Sequence, residues 1–512
     1  MIDPRRTLEV LASALSQLRR GVEKEGLRVR PDGKLSATPH PPALGAALTH
    51  PHITTDFSES QLELITGVHA DADGCLRELE ELHRFVYRYI GDEIVWAASM
   101  PCALPRESEI PIAQYGRSNI AQAKTIYRTG LSHRYGRRMQ LISGIHYNFS
   151  LPETVWPIAG LGDANRAYMA LIRNFRRHAW LLLYLFGASP AVCACFVEGR
   201  SHSLQPLSAD TLFLPHATSL RMGRIGYLGK AQEELAVSCN DLESYAASLE
   251  AGLTRTHPAY EAIGVRDDTG YRQLAATLLQ IENEYYTTIR PKRVIRPGER
   301  PLHALRERGV QYVEVRVMDI DPFARVGITA DTARFLDVFL LHCLTSGSPP
   351  DTPEEIRANS RNAQLVAERG REPGLRLRQG ARRVGMRAWA RRLLADCTPV
   401  ALALDAACGG HAHAAALDAA KRSVDDSASL PSARVLAAIR DDPRGSWFAF
   451  ALAQSRRHAA AMRAEPMSTE AAARLEALAR GSFDEQRRLE AADTVPFETF
   501  LRQYLSLESI AA

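Results

Sequence analysis

Apolar and polar residues alternate along four short stretches within the first 330 residues, and apolar residues recur at helical spacing nearly everywhere afterwards. The alternating stretches are "GLRVRP", "SQLELITGV", "GIHYNFSL" and "VQYVEVRVMDI", and each predicts a strand. Helical spacing predicts helices over "CLRELEELHRFVYRYIGDE", "ANRAYMALIRNFRRHAWLLLYLF" and "TADTARFLDVFLLHCLTSG", and an amphipathic helix in the N-terminal "MIDPRRTLEVLASALSQL". Long helical insertions separate the strands, which fits an α+β fold better than a repeating βαβ pattern. From about residue 331 the composition shifts to Ala-, Leu- and Arg-rich helical segments, so two regions are expected, 1–330 and 331–512. The segments "SGSPPDTPEE" and "VDDSASLPS" read as linkers or exposed loops.

The strands carry an unusual set of polar residues on one face. In "GVEKEGLRV", Glu23 and Glu25 share a face with Leu27 and Val29, while Val22, Lys24, Gly26 and Arg28 point the other way. Adjacent carboxylates resist ionising together. Taken alone, this stretch fits a solvated edge strand with Lys24 and Arg28 as charge partners. In "GIHYNFS", Ile145, Tyr147 and Phe149 oppose His146, Asn148 and Ser150. In "YVEVRVMDI", Val313, Val315 and Val317 oppose Tyr312, Glu314, Arg316 and Met318. In "ESQLELI", Leu62 and Leu64 oppose Gln61 and Glu63, with Asp56 just upstream.

Half-exposed antiparallel sheets also have polar faces, but these faces hold few of the Lys and Thr residues expected in water. If they converge, Glu23, Glu25, Asp56, Glu63, Glu314 and His146 surround one cavity that is too anionic to be stable empty. Hard oxygen donors suit magnesium or manganese, which bridge phosphate oxygens. The chain has no G-x-x-x-x-G-K-[ST] loop and no G-x-G-x-x-G after a strand, so a nucleotide would be held by metals and basic side chains. Arg290, Lys292, Arg293 and Arg296 in "TTIRPKRVIRPGERP", stiffened by Pro291 and Pro297, suit phosphate contact, or form a solvated basic loop.

Composition narrows the partners. A chain of 512 residues with 46% hydrophobic and 24% charged residues can bury a large core, and its formal charge of +4 gives no basic domain for nucleic acid. "RQGARRVGMRAWARR" reads as solvated helix faces. No apolar run reaches the roughly 18 residues of a membrane span. "AWLLLYLFGASPAVCACF" is interrupted by Gly187, Ser189 and Pro190 and reads as a buried helix ending in a turn. The N-terminal helix is charged and lacks an apolar signal core, so a cytoplasmic protein without membrane partner is expected. The eight cysteines are scattered and expected to be reduced; Cys193 and Cys195, beside Phe196, read as two buried thiols rather than half a zinc site.

The ordered motifs "GVEKEGLRV", "LTHPHITTDFSESQLELIT", "SMPC", "QYGRSN", "ISGIHYNFSLP", "YLFGASPAVC", "ATSLRMGRIGY", "QIENEYYTTIRPKR" and "YVEVRVMDIDPF" resemble those of the proteobacterial glutamate–cysteine ligases. The resemblance runs from Gly21 to "EAADTVPFETFL" and is weakest between about 350 and 480. It implies a glutamine-synthetase-like fold, an antiparallel sheet curled into a cradle for ATP, metals and amino-acid substrates. It also implies ATP-dependent joining of L-glutamate to L-cysteine. By matching motif, Glu23, Glu25, Asp56, Glu63, His146 and Glu314 resemble magnesium ligands. Arg316 resembles the arginine on the phosphoryl group, Asn148 a polar contact and Arg221 a glutamate contact. Tyr127, Leu131, Gln140, Tyr227, Tyr286 and Phe57 resemble the cysteine pocket; Leu131 and Phe57 fit core packing almost as well.

A family cysteine that pairs with the one in "SMPC" is missing from "ETVWPIAGLGDANRAYM", so that disulfide is not expected at Cys102. Rival readings are a carboxylate–amine ligase of the same fold with another amine acceptor, and a catalytically silent scaffold. A monomer is expected. The helical region after Asp321 is expected to brace the cradle rather than to form a second, glycine-adding domain.

Overall fold

The strand that carries Glu23 and Glu25 lies in the middle of the main sheet. The computed structural model describes residues 4–156, 162–226 and 235–511. In it β1 (Arg19–Val29) pairs antiparallel with β3 (Gln61–Ile65) on one side and β5 (Gly144–Ser150) on the other. β2 (Ile53–Thr55) extends the sheet beyond β3, and the short β4 (Ile94–Val95) pairs with the end of β1. A separate three-stranded sheet contains β6 (Ala191–Cys193), β7 (Gln205–Pro206) and β8 (Thr211–Phe213), and β9 (Arg266–Asp267) pairs with β10 (Gly270–Tyr271). The chain returns to the main sheet as β11 (Ile289–Lys292) and β12 (Tyr312–Asp319), giving the order β11-β12-β5-β1-β3-β2.

The central position of β1 overturns the edge-strand expectation for Lys24 and Arg28. Both face the core side, away from the two glutamates. Lys24 Nζ donates to His83 Nε2 at 2.8 Å, and burial pushes the lysine down to about 7. Arg28 is fully buried and pairs with Glu93 at 2.6 Å, while also donating to the carbonyls of Thr38, Pro39 and Glu59. The strand alternation also fails at one place. The register of β12 against β5 shifts between Val315 and Met318, so Met318 pairs with Ile145 on the apolar side. The same shift brings Asp319, opposite Gly144, onto the polar face.

The apolar face is covered as the sequence patterns require. Val22, Ile145, Tyr147, Phe149, Val313 and Val315 are buried beneath the helices Ala72–Tyr89, Ala164–Phe186 and Ala330–Thr345. The second of these begins where Asp163 accepts a hydrogen bond from Arg166 N and ends before Gly187, as predicted. One polar cluster crosses this apolar layer. Tyr147 OH donates to Asp337 at 2.7 Å, and Arg20 pairs with Asp337 at 3.0 Å, all three buried.

After residue 345 the described elements are helices and one hairpin, Arg376–Gln379 with Arg382–Gly385. Pro353–Arg369 packs on Ala164–Phe186, Trp447–Ala464 on Ala72–Tyr89, and Phe497–Leu505 on Asn119–Tyr135. Among the described residues no helix is long and apolar enough to cross a membrane.

Replacing Asp337 by Ala strands the buried Arg20 charge and the Tyr147 hydroxyl together. Asp337→Ala is expected to cost about 3 kcal/mol or more in urea unfolding, whereas Tyr147→Phe, which keeps the ion pair, should cost about 1 kcal/mol.

Candidate active site

Strand register brings the predicted acids together. Glu23 lies directly opposite His146, Glu25 opposite Glu63, and Glu314 opposite Asn148. The four glutamates and His146 project from one face into a cavity of about 700 Å³, which Asp56 also lines. Ligand atoms of Glu23, Glu63 and His146 all lie within 4.8 Å of one another. His146 Nδ1 is 3.1 Å from Glu23 Oε2 and 3.6 Å from Glu314 Oε1, and its Nε2 is 3.7 Å from Glu25 Oε1. Asn148 does not line the cavity; it acts on Glu23, donating from Nδ2 to Oε1 at 2.9 Å. Gly144 N donates to Glu25 Oε2 at 2.7 Å.

Charge compensation is uneven across this face. Burial opposes ionisation of Glu314, but Lys292 at 3.3 Å and Arg316 at 3.1 Å hold it well below the usual carboxylate range. Glu23 also lies below its ordinary value: burial and Glu314 push it up, and the bond to His146 with the charge of Lys292 outweighs them. At the β3 end the balance reverses. Burial and then the neighbouring Glu23, Asp56 and Glu25 push Glu63 well above the usual range, and burial with Asp56 raises Glu25. The face is therefore cation-balanced near β12 and short of positive charge near β3.

The basic segment divides on inspection. Lys292 and Arg296 line the cavity, whereas Arg293 does not. Arg290 also lines it but is buried, and its guanidinium donates to the carbonyls of Asn283, at 2.8 Å, and Tyr285.

Arg221 sits at one end of the cavity, donating from Nη2 to the carbonyl of Arg316 at 2.9 Å, with Nη1 3.9 Å from Asp319. Its guanidinium lies flat against Gly144, where an added Cβ would be 2.1 Å from Nη2. Asp319 accepts from Ser189 Oγ at 2.6 Å, Ala188 N at 2.9 Å and Ser219 Oγ at 2.9 Å, tying the turn that carries Arg221 to the end of β12. This anchoring set is absent from the sequence reading because the bulge in β12 hides the face of Asp319.

The other wall comes from the helix Asn119–Tyr135 and its neighbours. Tyr127, Leu131, Gln140, Tyr286 and Phe57 all line the cavity, and Gln140 Nε2 donates to Tyr286 OH at 3.0 Å. Tyr227 lies outside the described residues. Lys124 and Arg128 also face the cavity and were missed, although their spacing from Tyr127 and Leu131 puts all four on one helix face. Arg128 Nε donates to the carbonyl of Asp56, and burial pushes Lys124 down to about 8.

The family model for glutamate–cysteine ligase matches residues 7–366. The chain belongs to the glutamate–cysteine ligase family. It is 50% identical over 507 residues to the glutamate–cysteine ligase of Bordetella petrii, covering 97% of this chain and 96% of that one. To the enzyme of Pseudomonas putida it is 50% identical over 499 residues, covering 96% and 95%. The crystal structure of the Francisella tularensis glutamate–cysteine ligase in complex with AMP superposes with a TM-score of 0.91 at 36% identity, over 95% of this chain and 97% of that one. A bifunctional glutathione synthetase from Pasteurella multocida superposes with a TM-score of 0.73 at 25% identity; this chain covers 58% of its length. As a glutamate–cysteine ligase the protein catalyses ATP-dependent formation of γ-glutamylcysteine, and the rival reading of a catalytically silent scaffold falls.

The close approach of Arg221 to Gly144 gives a direct test of this ligase's geometry. Gly144→Ala must displace the guanidinium by an ångström or more, and is expected to lower kcat/KM for ligation by about a hundredfold with an unchanged circular dichroism spectrum.

Proposed function

We propose that Glu23, Glu25, Asp56, Glu63, His146 and Glu314 hold magnesium or manganese ions, and that Arg316 stabilises the phosphoryl group in transfer. The observation that carries this reading is the meeting of Glu23, Glu63 and His146 ligand atoms within 4.8 Å, at the end of the face where positive charge is lacking. Carboxylate oxygens with one imidazole fit a hard divalent cation. Bound there, such ions neutralise polyphosphate oxygens and bring an attacking carboxylate close to them. The AMP complex of the Francisella relative supports a nucleotide as a ligand of this chain.

In this reading the γ-carboxylate of L-glutamate attacks the γ-phosphate of ATP, and ADP leaves. The amine of L-cysteine then attacks the acyl carbon of γ-glutamyl phosphate, loses a proton and displaces phosphate. No protein nucleophile takes part, and the residues supply position and charge. Glu314 fixes the Arg316 guanidinium beside Lys292, so two cations face the transferring group. Arg221 grips a glutamate carboxylate with its planar fork. Of the nucleotide candidates Arg290, Lys292 and Arg293, Lys292 serves the phosphates, since Arg290 is held by the carbonyls of Asn283 and Tyr285 and Arg293 does not line the cavity. Tyr127, Leu131, Gln140, Tyr286 and Phe57 enclose the cysteine. The protein is read as a monomer, and its free thiols suit the cytoplasm.

Glu23→Gln and Glu314→Gln are each expected to abolish glutamate- and cysteine-dependent ADP release with the fold intact by circular dichroism; near-normal turnover in either contradicts the metal assignment. Arg316→Lys should lower kcat by about a hundredfold or more, with much less change in ATP affinity; a loss confined to ATP affinity would make Arg316 a ground-state contact. The 512-residue chain, given glutamate, cysteine, glycine, ATP and magnesium, should accumulate γ-glutamylcysteine, and glutathione in the separated thiols would contradict a single-step ligase.

A further inference from the structure

Three of the eight cysteines meet at one place outside the ligation cavity. Cys102 comes from the segment after β4, Cys193 ends β6, and Cys195 lies in the turn Ala194–Phe196 that follows. Their sulfurs all lie within 4.8 Å of one another, and Cys193 Sγ is 2.9 Å from Cys195 Sγ. Cys102 and Cys193 are buried, Cys195 is half-buried, and none of the three lines the cavity. The missing family partner of Cys102 is thus replaced by two thiols from a different segment.

Ala103, at φ +49°, is the only non-glycine residue with positive φ among the described residues. Ala103 directly follows Cys102, and strain of this kind persists only where the surrounding structure over-determines it.

We propose that Cys102, Cys193 and Cys195 form a three-thiolate site for one thiophilic d10 cation, zinc(II) or copper(I). Soft sulfur donors select these ions and leave magnesium to the carboxylates. Three sulfurs about 2.3 Å from one ion stand about 3.8 Å apart, so binding moves Cys193 and Cys195 apart within the existing 4.8 Å cluster. Each thiol that ligates releases its proton to solvent, and no electron is transferred. Zinc would take a solvent molecule as fourth ligand on the Cys195 side, whereas copper(I) is complete with three sulfurs.

The reduced full-length protein, kept anaerobic in excess magnesium, is titrated separately with zinc(II) and with copper(I) against a chromophoric chelator. One equivalent of at least one metal should be retained per chain. Cys102→Ser and Cys193→Ser should each weaken retention by about a hundredfold or more, and Cys408→Ser, at an exposed thiol elsewhere, should leave it unchanged. Circular dichroism checks that each variant is folded. Failure to retain either metal, or retention that survives the Cys102→Ser/Cys193→Ser double variant, overturns the proposal. So does loss of two thiols to a Cys102 disulfide in air by a protein that takes up neither metal.

Discussion

Mutual repulsion among carboxylates fixed on one sheet face is the constraint around which this molecule is organised. Glu23, Glu25, Glu63 and Glu314 cannot separate, because the antiparallel register of three neighbouring strands against β1 and β5 sets where each Cβ stands. Relief has to come from positive charge. At the β12 end Lys292 and Arg316 supply it, and Glu314 stays ionised despite complete burial. At the β3 end burial and the neighbouring carboxylates outweigh the cations within reach, Lys124 among them, and Glu63 is driven toward its protonated form. A divalent cation entering there would meet the greatest unmet charge, and would reverse the shift on Glu63.

The rest of the fold keeps that face rigid. Two buried charge clusters flank the sheet. On the apolar side, Arg20, Tyr147 and Asp337 join β1 and β5 to the helix Ala330–Thr345. On the cavity side, Asp319 holds the turn that carries Arg221, and Gly144 leaves the space in which the guanidinium lies. Residues far apart in sequence therefore share one frame.

Much of this was legible in the sequence. The two-residue period placed Glu23, Glu25, Glu63, His146 and Glu314 on common faces, and the helix Ala164–Phe186 agreed with its pattern from cap to terminus. Pairing order was not legible, because alternation says which residues share a face and not which strands are neighbours. Hence β1 read as an edge, and Lys24 and Arg28 were misread as partners of the acids. A bulge cannot be seen in alternation, so Met318 was placed on the wrong side and Asp319 was missed. Arg290 looked available for phosphate because its backbone acceptors, Asn283 and Tyr285, come from a turn whose path the sequence does not reveal. The approach of Cys102 to Cys193 and Cys195 depends on the same long-range packing.

The central claim is that the carboxylate face exists to hold divalent cations against a nucleotide. Manganese scatters anomalously, so crystals grown with manganese and a non-hydrolysable ATP analogue locate the ions directly. The account predicts anomalous peaks about 2.1 Å from carboxylate oxygens, one of them shared by Glu23, Glu63 and His146, with nucleotide phosphate oxygens completing the coordination. Manganese held by phosphates alone, with Glu23 and Glu63 still in contact with His146 and not with metal, would contradict it.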